Sequence, residues 1–165
     1  MAEEGAAGAT GDGVRTPEGL QVRVRRLESN PDLPLPARAT AGAAGFDVRS
    51  AEEEVVLAPG EIRPVGTGLA MELPPGVECQ VRPRSGLAAR EGVTIPNAPG
   101  TIDPDYRGEV KVLLQNAGSE PVTISRGDRV AQLVFSRFEA PILREASRVD
   151  ATARGKGGLG STGRR

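Results

Sequence analysis

The densest group of chemically capable side chains lies in the segment 100–110, Gly-Thr-Ile-Asp-Pro-Asp-Tyr-Arg-Gly-Glu-Val. It places two carboxylates, one phenol and one guanidinium within five residues, between glycines that permit tight turns. Asp103 follows Thr101 and Ile102, so we expect its carboxylate at the end of a strand, held by a rigid element. Tyr106 is the only tyrosine of the chain, and its hydroxyl needs a partner. On its own, the segment fits a functional site or an Asx-type turn with a surface tyrosine.

A second candidate segment is Arg-Pro-Arg-Ser-Gly at 82–86, which joins a predicted strand to a predicted short helix. The first N–H groups of a helix have no partner within it, and with Arg84 beside them they could bind an anion. The structural alternative is a solvated arginine next to an ordinary helix cap. The spacing leaves both open.

The chain ends in a glycine-rich basic stretch at 154–163, Arg-Gly-Lys-Gly-Gly-Leu-Gly-Ser-Thr-Gly. Its glycines expose N–H groups while Arg154 and Ser161 add a charge and a hydroxyl, which suits a phosphate-cradling loop. It is not a Walker loop, because Gly160 stands where that motif needs lysine. The structural alternative is a flexible tail.

Two polar residues stand in otherwise apolar stretches. Asp47 follows Gly-Ala-Ala-Gly-Phe and could hold the water shell of a phosphate-bound Mg²⁺, since that ion usually keeps several waters. Alternatively, Asp47 accepts backbone hydrogen bonds at a strand edge. Gln132 alternates with apolar neighbours in the segment 127–133, so its amide faces a site or, by default, solvent.

The composition predicts a single all-β domain. A length of 165 residues suits one domain with tails, and 22 glycines and 14 prolines against 2% aromatic residues favour short strands joined by tight turns. Strands are predicted at 20–25, 46–49, 54–57, 62–73, 77–82, 93–95, 109–115, 122–124 and 129–135. Their spacing suggests a sandwich, barrel or jelly roll. We expect Cys79 to be buried in its strand, and Ser85 to cap a short helix that Gly92 ends.

Charge and residue usage exclude several classes of function. The net charge of −1 gives no reason to expect nucleic-acid or membrane binding. The lone Cys79 excludes an internal disulfide, and the absence of histidine excludes zinc hydrolysis and Ser-His-Asp chemistry. We find neither a secretory leader nor a membrane-spanning run, and expect a soluble protein of the reducing cytoplasm.

Three regions are expected along the chain. Residues 1–19 carry a net charge of −3 without apolar periodicity and are predicted to be a disordered acidic tail. Residues 20–145 hold the predicted strands. Residues 146–165 are predicted to be a flexible, glycine-rich basic arm.

Taken in order, five segments resemble the motifs of the trimeric deoxyuridine triphosphatase (dUTPase) family: 41–47, 83–88, 97–110, 127–133 and 154–163. The resemblance implies a jelly-roll-like β-barrel and a homotrimer with shared active sites and a C-terminal arm exchanged or closed across subunits. It also implies Mg²⁺-dependent hydrolysis of dUTP to dUMP and pyrophosphate by attack of water on the α-phosphorus. Such an activity limits uracil incorporation into DNA and supplies dUMP for dTMP synthesis.

The same resemblance implies roles for individual residues. Asp103 would orient and deprotonate the attacking water, Tyr106 would pack on the deoxyribose and exclude a 2′-hydroxyl, and Asn97 would pair with the uracil edge. Asp47 would hold Mg²⁺ through water. The implied substrate-binding residues are Arg84, Ser85, Gly86, Asn97, Thr101, Ile102, Tyr106, Gln132, Arg154, Gly158, Leu159, Gly160 and Ser161.

One position departs from the family pattern, and two other functions stay open. The family usually has an aromatic ring that stacks on uracil where this chain has Leu159, so we expect weaker binding of the base.

A dCTP deaminase, or the bifunctional deaminase that yields dUMP, shares the fold and the phosphate-binding residues. The 97–108 segment and the C-terminal arm of this chain match the hydrolase better than they match these deaminases. A non-catalytic nucleotide-binding homologue would lack the carboxylate or the arm.

Overall fold

The computed structural model describes residues 19–158 and residue 161, which contain eleven strands and one helix. The elements are β1 Arg23–Arg26, β2 Ala37–Arg38, β3 Phe46–Arg49, β4 Glu54–Leu57, β5 Ile62–Glu72, β6 Val77–Arg82, α1 Ser85–Glu91, β7 Val93–Thr94, β8 Gly100–Ile102, β9 Glu109–Asn116, β10 Val122–Ser125 and β11 Arg129–Arg137. The all-β prediction is confirmed.

Three antiparallel sheets make up the described part of the chain. Their strand orders are β1-β5-β9-β7, β10-β4 and β2-β3-β11-β6-β8. Within the described residues the sheets stay open, so the jelly-roll-like class holds while a closed barrel does not. The five-stranded sheet matters most here, because β3 carries Asp47, β11 carries Gln132, and Asp103 directly follows β8.

The apolar residues of the strands alternate with polar ones and form one core. On β6, the side chains of Val77, Cys79 and Val81 are buried as the period of two predicts. Burial raises the pKa of the Cys79 thiol to about 12, so this cysteine is a neutral core residue as expected. Five different strands contribute the fully buried side chains of Leu57, Leu69, Leu114, Ile124 and Leu133.

A Gly-Thr-Gly bulge at 66–68 interrupts the pairing of β5 with β9. Two carboxylates cap its freed backbone: Glu52 accepts from the Gly66 N–H at 2.7 Å, and Glu109 accepts from the Gly68 N–H at 2.9 Å. The buried Thr67 hydroxyl donates to the Val110 carbonyl at 2.6 Å. The bulge therefore ties β5 to the start of β9, which continues directly from the segment 100–108.

The short helix differs from the prediction at its N-terminus. Arg84 occupies the N-cap position without a side-chain capping bond, and Ser85 is the first helical residue. The prediction that Ser85 caps the helix was therefore wrong, because the extended backbone that a cap residue needs is found one position earlier. The C-terminus follows the prediction: Gly92 is left-handed, with φ of 68°, and its N–H donates to Ala88.

Beyond β11 the chain continues without strands through residue 158. This segment carries three large apolar side chains that are almost fully exposed: Ile142 at 81%, Leu143 at 92% and Val149 at 89%. Across the described ranges 19–158 and 161, the helical content is the seven residues of α1, too few to cross a membrane.

Candidate functional site

Asp103 follows β8 directly, where the sequence places the end of a strand. It lies in a cleft of about 230 Å³ lined by Thr101, Ile102, Asp103, Tyr106, Glu109, Val110 and Lys111, which we call the Asp103 cleft. The Asp103 backbone carbonyl accepts from the Tyr106 N–H at 3.1 Å. This turn fixes the backbone while the exposed Asp103 carboxylate stays accessible to water.

Tyr106 is held over the cleft by its own loop. Its hydroxyl donates to the Glu109 carbonyl at 2.9 Å, which supplies the partner that the phenol needs. A Cβ built on Gly108 would lie 2.4 Å from that hydroxyl oxygen and 2.6 Å from the ring carbon that bears it. Gly108 is therefore required for the ring to fold back across the loop, and 46% of Tyr106 remains exposed to a ligand.

Asn97 precedes β8 and sits close to its first residue. A Cβ built on Gly100 would lie 3.3 Å from the Asn97 amide nitrogen, so this side chain lies across the glycine. Asn97 is exposed, and Thr101 of the Asp103 cleft is exposed while Ile102 is buried. The predicted base-pairing residue and the Asp103 cleft thus lie at the two ends of the same short strand.

A second group gathers around Asp47 on β3, and we call it the Asp47 cluster. The Arg84 Nε donates to Asp47 Oδ1 at 3.2 Å, and the Arg129 Nη1 donates to Asp47 Oδ2 at 2.9 Å. The Gln132 amide lies 3.4 Å from Oδ1. Only 10% of the Asp47 side chain is exposed, so its charge is compensated by two guanidinium groups.

Arg129 belongs to this cluster although its sequence position did not single it out. Regular alternation would put Arg129 and Gln132, three residues apart, on opposite faces of β11. The pairing register with β3 shifts between Arg129 and Ala131, and this bulge turns both side chains towards Asp47. The signal in the sequence is the apolar pair Val130-Ala131, both buried, which breaks the alternation.

The surroundings of the Asp47 cluster are strongly basic. Arg84 and Arg129 also border a pocket of about 250 Å³. Four guanidinium groups line it, from Arg49, Arg84, Arg90 and Arg129, against the carboxylates of Glu91 and Asp128. Exposed Ser85 and half-buried Gly86 follow Arg84 in the chain. An anion of several charges would be attracted to this side of the molecule.

The Asp103 cleft and the Asp47 cluster are far apart within one chain. Asp47 and Arg82 of β6 both pair with Gln132 of β11, so they are level with each other across the sheet. Ile102 pairs instead with Cys79, three residues before Arg82 on β6. Three strand spacings separate β3 from β8. From standard strand dimensions, the backbones of Asp47 and Asp103 are roughly 20 Å apart along the sheet.

The candidate residues of the C-terminal stretch make local contacts. The Arg154 Nε donates to the Gly157 carbonyl at 3.0 Å, and the Ser161 N–H donates to the Gly158 carbonyl at 2.7 Å. Arg154, Gly158 and Ser161 are exposed. Leu159 and Gly160 lie outside the described residues.

A family model described as dUTPase matches residues 32–163. The chain belongs to the dUTPase family. It is similar to the deoxyuridine 5'-triphosphate nucleotidohydrolase of Anaeromyxobacter sp., with 59% identity over 146 residues, 88% of this chain and 99% of that protein. The protein of the same name from Methylocella silvestris is 54% identical over 149 residues, 88% of this chain and 93% of the relative.

Solved structures of dUTPases share the fold. A mutant dUTPase of Staphylococcus bacteriophage 80alpha with dUpNHpp has a TM-score of 0.76 and 26% identity, and the match covers 87% of this chain and 98% of that one. A mutant dUTPase from phage phi11 of S. aureus, described as showing the coordination of a structural Mg(II) ion, has a TM-score of 0.71 and 25% identity over 79% and 99% of the chains.

Proposed function

We propose that this member of the dUTPase family hydrolyses dUTP to dUMP and pyrophosphate. The observation that carries the proposal is the family match over residues 32–163, which takes in all five motif segments. The described residues agree with this proposal. The Asp103 cleft offers a water-accessible carboxylate, and the Asp47 cluster lies in strongly basic surroundings that would attract a triphosphate. In a cell, the activity would limit uracil incorporation into DNA and supply dUMP.

The Asp103 cleft suits the nucleoside and the attacking water. Asp103 orients a water and takes its proton as that water attacks the α-phosphorus. Tyr106 packs its ring on the deoxyribose, and a 2′-hydroxyl would clash with it, so UTP is rejected. Asn97, with the backbone of Thr101 and Ile102, pairs with the uracil edge and rejects cytosine, whose donors and acceptors are reversed.

The Asp47 cluster suits the triphosphate. The Arg84 guanidinium, the Ser85 hydroxyl, the Gly86 N–H and the Gln132 amide are hydrogen-bond donors of the kind that bind phosphate oxygens. The four arginines that line the neighbouring pocket add positive charge on the same side. Leu159 would bind the uracil more weakly than an aromatic ring at that position would, and contacts to the phosphates would compensate for the lost affinity.

Asp47 fits a Mg²⁺ ion held through water. Both of its carboxylate oxygens already accept hydrogen bonds from arginines, and the described residues contain no group of three acidic, histidine or cysteine side chains that would enclose a metal. Mg²⁺ is usually bound through one or two carboxylates together with substrate phosphates. When bound, the ion would neutralise charge on the triphosphate.

We further propose that the active sites form between subunits of a homotrimer. The roughly 20 Å between Asp47 and Asp103 in one chain favours a site that takes the Asp103 cleft from one subunit and the Asp47 cluster from another. The exposed apolar side chains of Ile142, Leu143 and Val149 favour burial of that segment against a neighbouring subunit. The number three comes from the family.

The basic C-terminal arm would close over the bound triphosphate. Arg154 and Ser161 would contact phosphate oxygens, and the backbone of Gly158 and Gly160 would allow close approach, with Leu159 above the uracil. Closure excludes bulk water and strengthens the electrostatic interactions inside the site.

Pyrophosphate release from dUTP, compared with UTP, dTTP and dCTP, tests the proposed function. We expect release from dUTP alone and no ammonia from dCTP, whereas ammonia would indicate the deaminase. In ¹⁸O-labelled water, the label should appear in dUMP, because the water attacks the α-phosphorus. Label in pyrophosphate, or binding of dUTP without hydrolysis, would contradict the proposal.

A further inference from the structure

Arg84 has two competing partners in the proposed function. In the described structure its Nε donates to Asp47 Oδ1 at 3.2 Å, and 20% of its side chain is exposed. Its Nη1 also donates to the Arg129 backbone carbonyl at 3.1 Å. Phosphate oxygens that bind the Arg84 guanidinium would compete with Asp47 for its N–H groups.

Releasing Arg84 has a cost at Asp47. A carboxylate with only 10% of its side chain exposed needs a compensating charge, and an approaching triphosphate brings like charge. The Gln132 amide, 3.4 Å from Oδ1, is neutral and weakly placed. Arg129 is therefore the remaining cation within hydrogen-bond distance of Asp47 among the described residues, at 2.9 Å from Oδ2.

We propose that Arg129 is a positioning residue, which keeps Asp47 paired when Arg84 turns to the phosphates. Arg129 uses Oδ2 while Arg84 uses Oδ1, so one bond can persist when the other is released. The β11 bulge brings Arg129 to this place. The inference rests on the proposed function, because it assigns a use to the same triphosphate site.

Affinity for a non-hydrolysable dUTP analogue, α,β-imido-dUTP, measured by calorimetry in the presence of a chelator, tests this role. In Arg129→Gln, Asp47 has Arg84 as its single cationic partner and holds it more firmly. We expect the affinity to fall about tenfold, as for loss of one hydrogen bond to a charged group. Arg129→Lys, which keeps the charge, should recover part of it.

Arg63→Gln is the matched control. Arg63 lies on β5, 46% of its side chain is exposed against 45% for Arg129, and it also has an acidic neighbour, Glu61, at 3.8 Å. We expect its affinity for the analogue to stay within about twofold of the unmodified protein. Melting curves of each variant check that the fold is retained.

The deciding measurement is a double-mutant cycle with Asp47→Asn. If Arg129 acts through Asp47, then Arg129→Gln has no further effect once the carboxylate is neutralised. If it has the same effect in both backgrounds, Arg129 contacts the phosphates itself and the inference is overturned. Asp47→Ser replaces Asp47→Asn in the cycle if the latter does not fold. An unmodified chain that fails to bind the analogue with Mg²⁺ present as well as with the chelator refutes the proposed function instead.

Discussion

Glu109 also lines the Asp103 cleft but is half-buried and accepts from the Gly68 N–H at 2.9 Å, so the carboxylate that we propose activates water is the exposed Asp103. It follows β8, its backbone carbonyl is fixed by the Tyr106 N–H at 3.1 Å, and its side chain is exposed. The chain contains no histidine, so a carboxylate is the general base that the cleft offers. The chemistry of the proposed reaction therefore depends on this one side chain.

Asp103→Asn should lower kcat roughly 10²- to 10⁴-fold, the usual contribution of a positioned general base. The amide retains the shape of the side chain but is a poor proton acceptor, so affinity for α,β-imido-dUTP should change little. Steady-state kinetics and calorimetry measure the two effects separately. A variant with normal kcat would remove Asp103 from the mechanism.

Selectivity against UTP should depend on Gly108 as well as on Tyr106. A Cβ at position 108 would lie 2.4 Å from the Tyr106 hydroxyl oxygen, so Gly108→Ala should displace the ring that we propose blocks a 2′-hydroxyl. We expect the ratio of kcat/KM for dUTP over UTP to fall at least about tenfold. Tyr106→Phe, which keeps the ring and the space at Gly108 but loses the hydroxyl, is the control and should change this ratio far less. An unchanged ratio in Gly108→Ala would count against a steric role for the ring.

Leu159→Phe should lower KM for dUTP. A base stacked on an aromatic side chain gains about 1 to 3 kcal/mol relative to alanine, and leucine supplies only part of that. KM measured for Leu159→Phe and for Leu159→Ala should move in opposite directions from the unmodified protein. A KM that is unchanged or higher in Leu159→Phe would mean that this position does not cover the uracil.

At the scale of the elements, local periodicity predicted the strands that form half-buried faces. The bounds of β3, β4 and β6 agree with the predicted segments 46–49, 54–57 and 77–82. β2, with two residues, is too short to show a period and was not predicted as a strand. β8, with three residues, was expected only from the position of Asp103 at a strand end. The bulge that brings Arg129 to Asp47 depends on pairing with β3, which local patterns do not report.

The bulge in β5 makes a prediction about stability. Gly68 has φ of 61°, and a Cβ there would lie 2.3 Å from Cβ of the buried Asn30. We expect Gly68→Ala to destabilise the protein by at least about 3 kcal/mol, from backbone strain plus overpacking.

Gly60→Ala is the matched control for that substitution. Gly60 has φ of 80° but open space around a built Cβ, so it should cost only about 1 to 2 kcal/mol of backbone strain. Urea denaturation at one fixed protein concentration compares the two variants, since association shifts apparent stability. Equal losses would show that the contact with Asn30 is relieved by relaxation.

At the scale of the molecule, the order of the motifs along the chain does not show which motifs lie close together in the fold. Asp47 on β3 and Asp103 after β8 are separated across one sheet, because β11 and β6 lie between β3 and β8. Strand order and register depend on residues far apart in the chain, so spacing along the chain could indicate candidate site residues but not which of them lie close together. Family resemblance supplied the expectation of shared sites, and the sheet geometry supplies an independent reason for it.

Mixing two inactive variants tests whether sites are shared. Asp103→Asn and Arg84→Gln each disable one half of the site, and each should be nearly inactive alone. When the two variants are mixed, unfolded and refolded together, a site built from two chains can combine an intact Asp103 with an intact Arg84. For random assembly in equal amounts, about a quarter of the sites should be intact, as expected when two different subunits contribute to each site.

The control for this mixture is each variant taken through the same unfolding and refolding alone, which should stay inactive. Unmodified protein treated identically gives the reference rate of pyrophosphate release from dUTP. If the site lay within one chain, every chain in the mixture would carry one defect and activity would not return. Recovery near a quarter of the reference therefore requires Asp103 and Arg84 of one site to come from different subunits, and no recovery would contradict that arrangement.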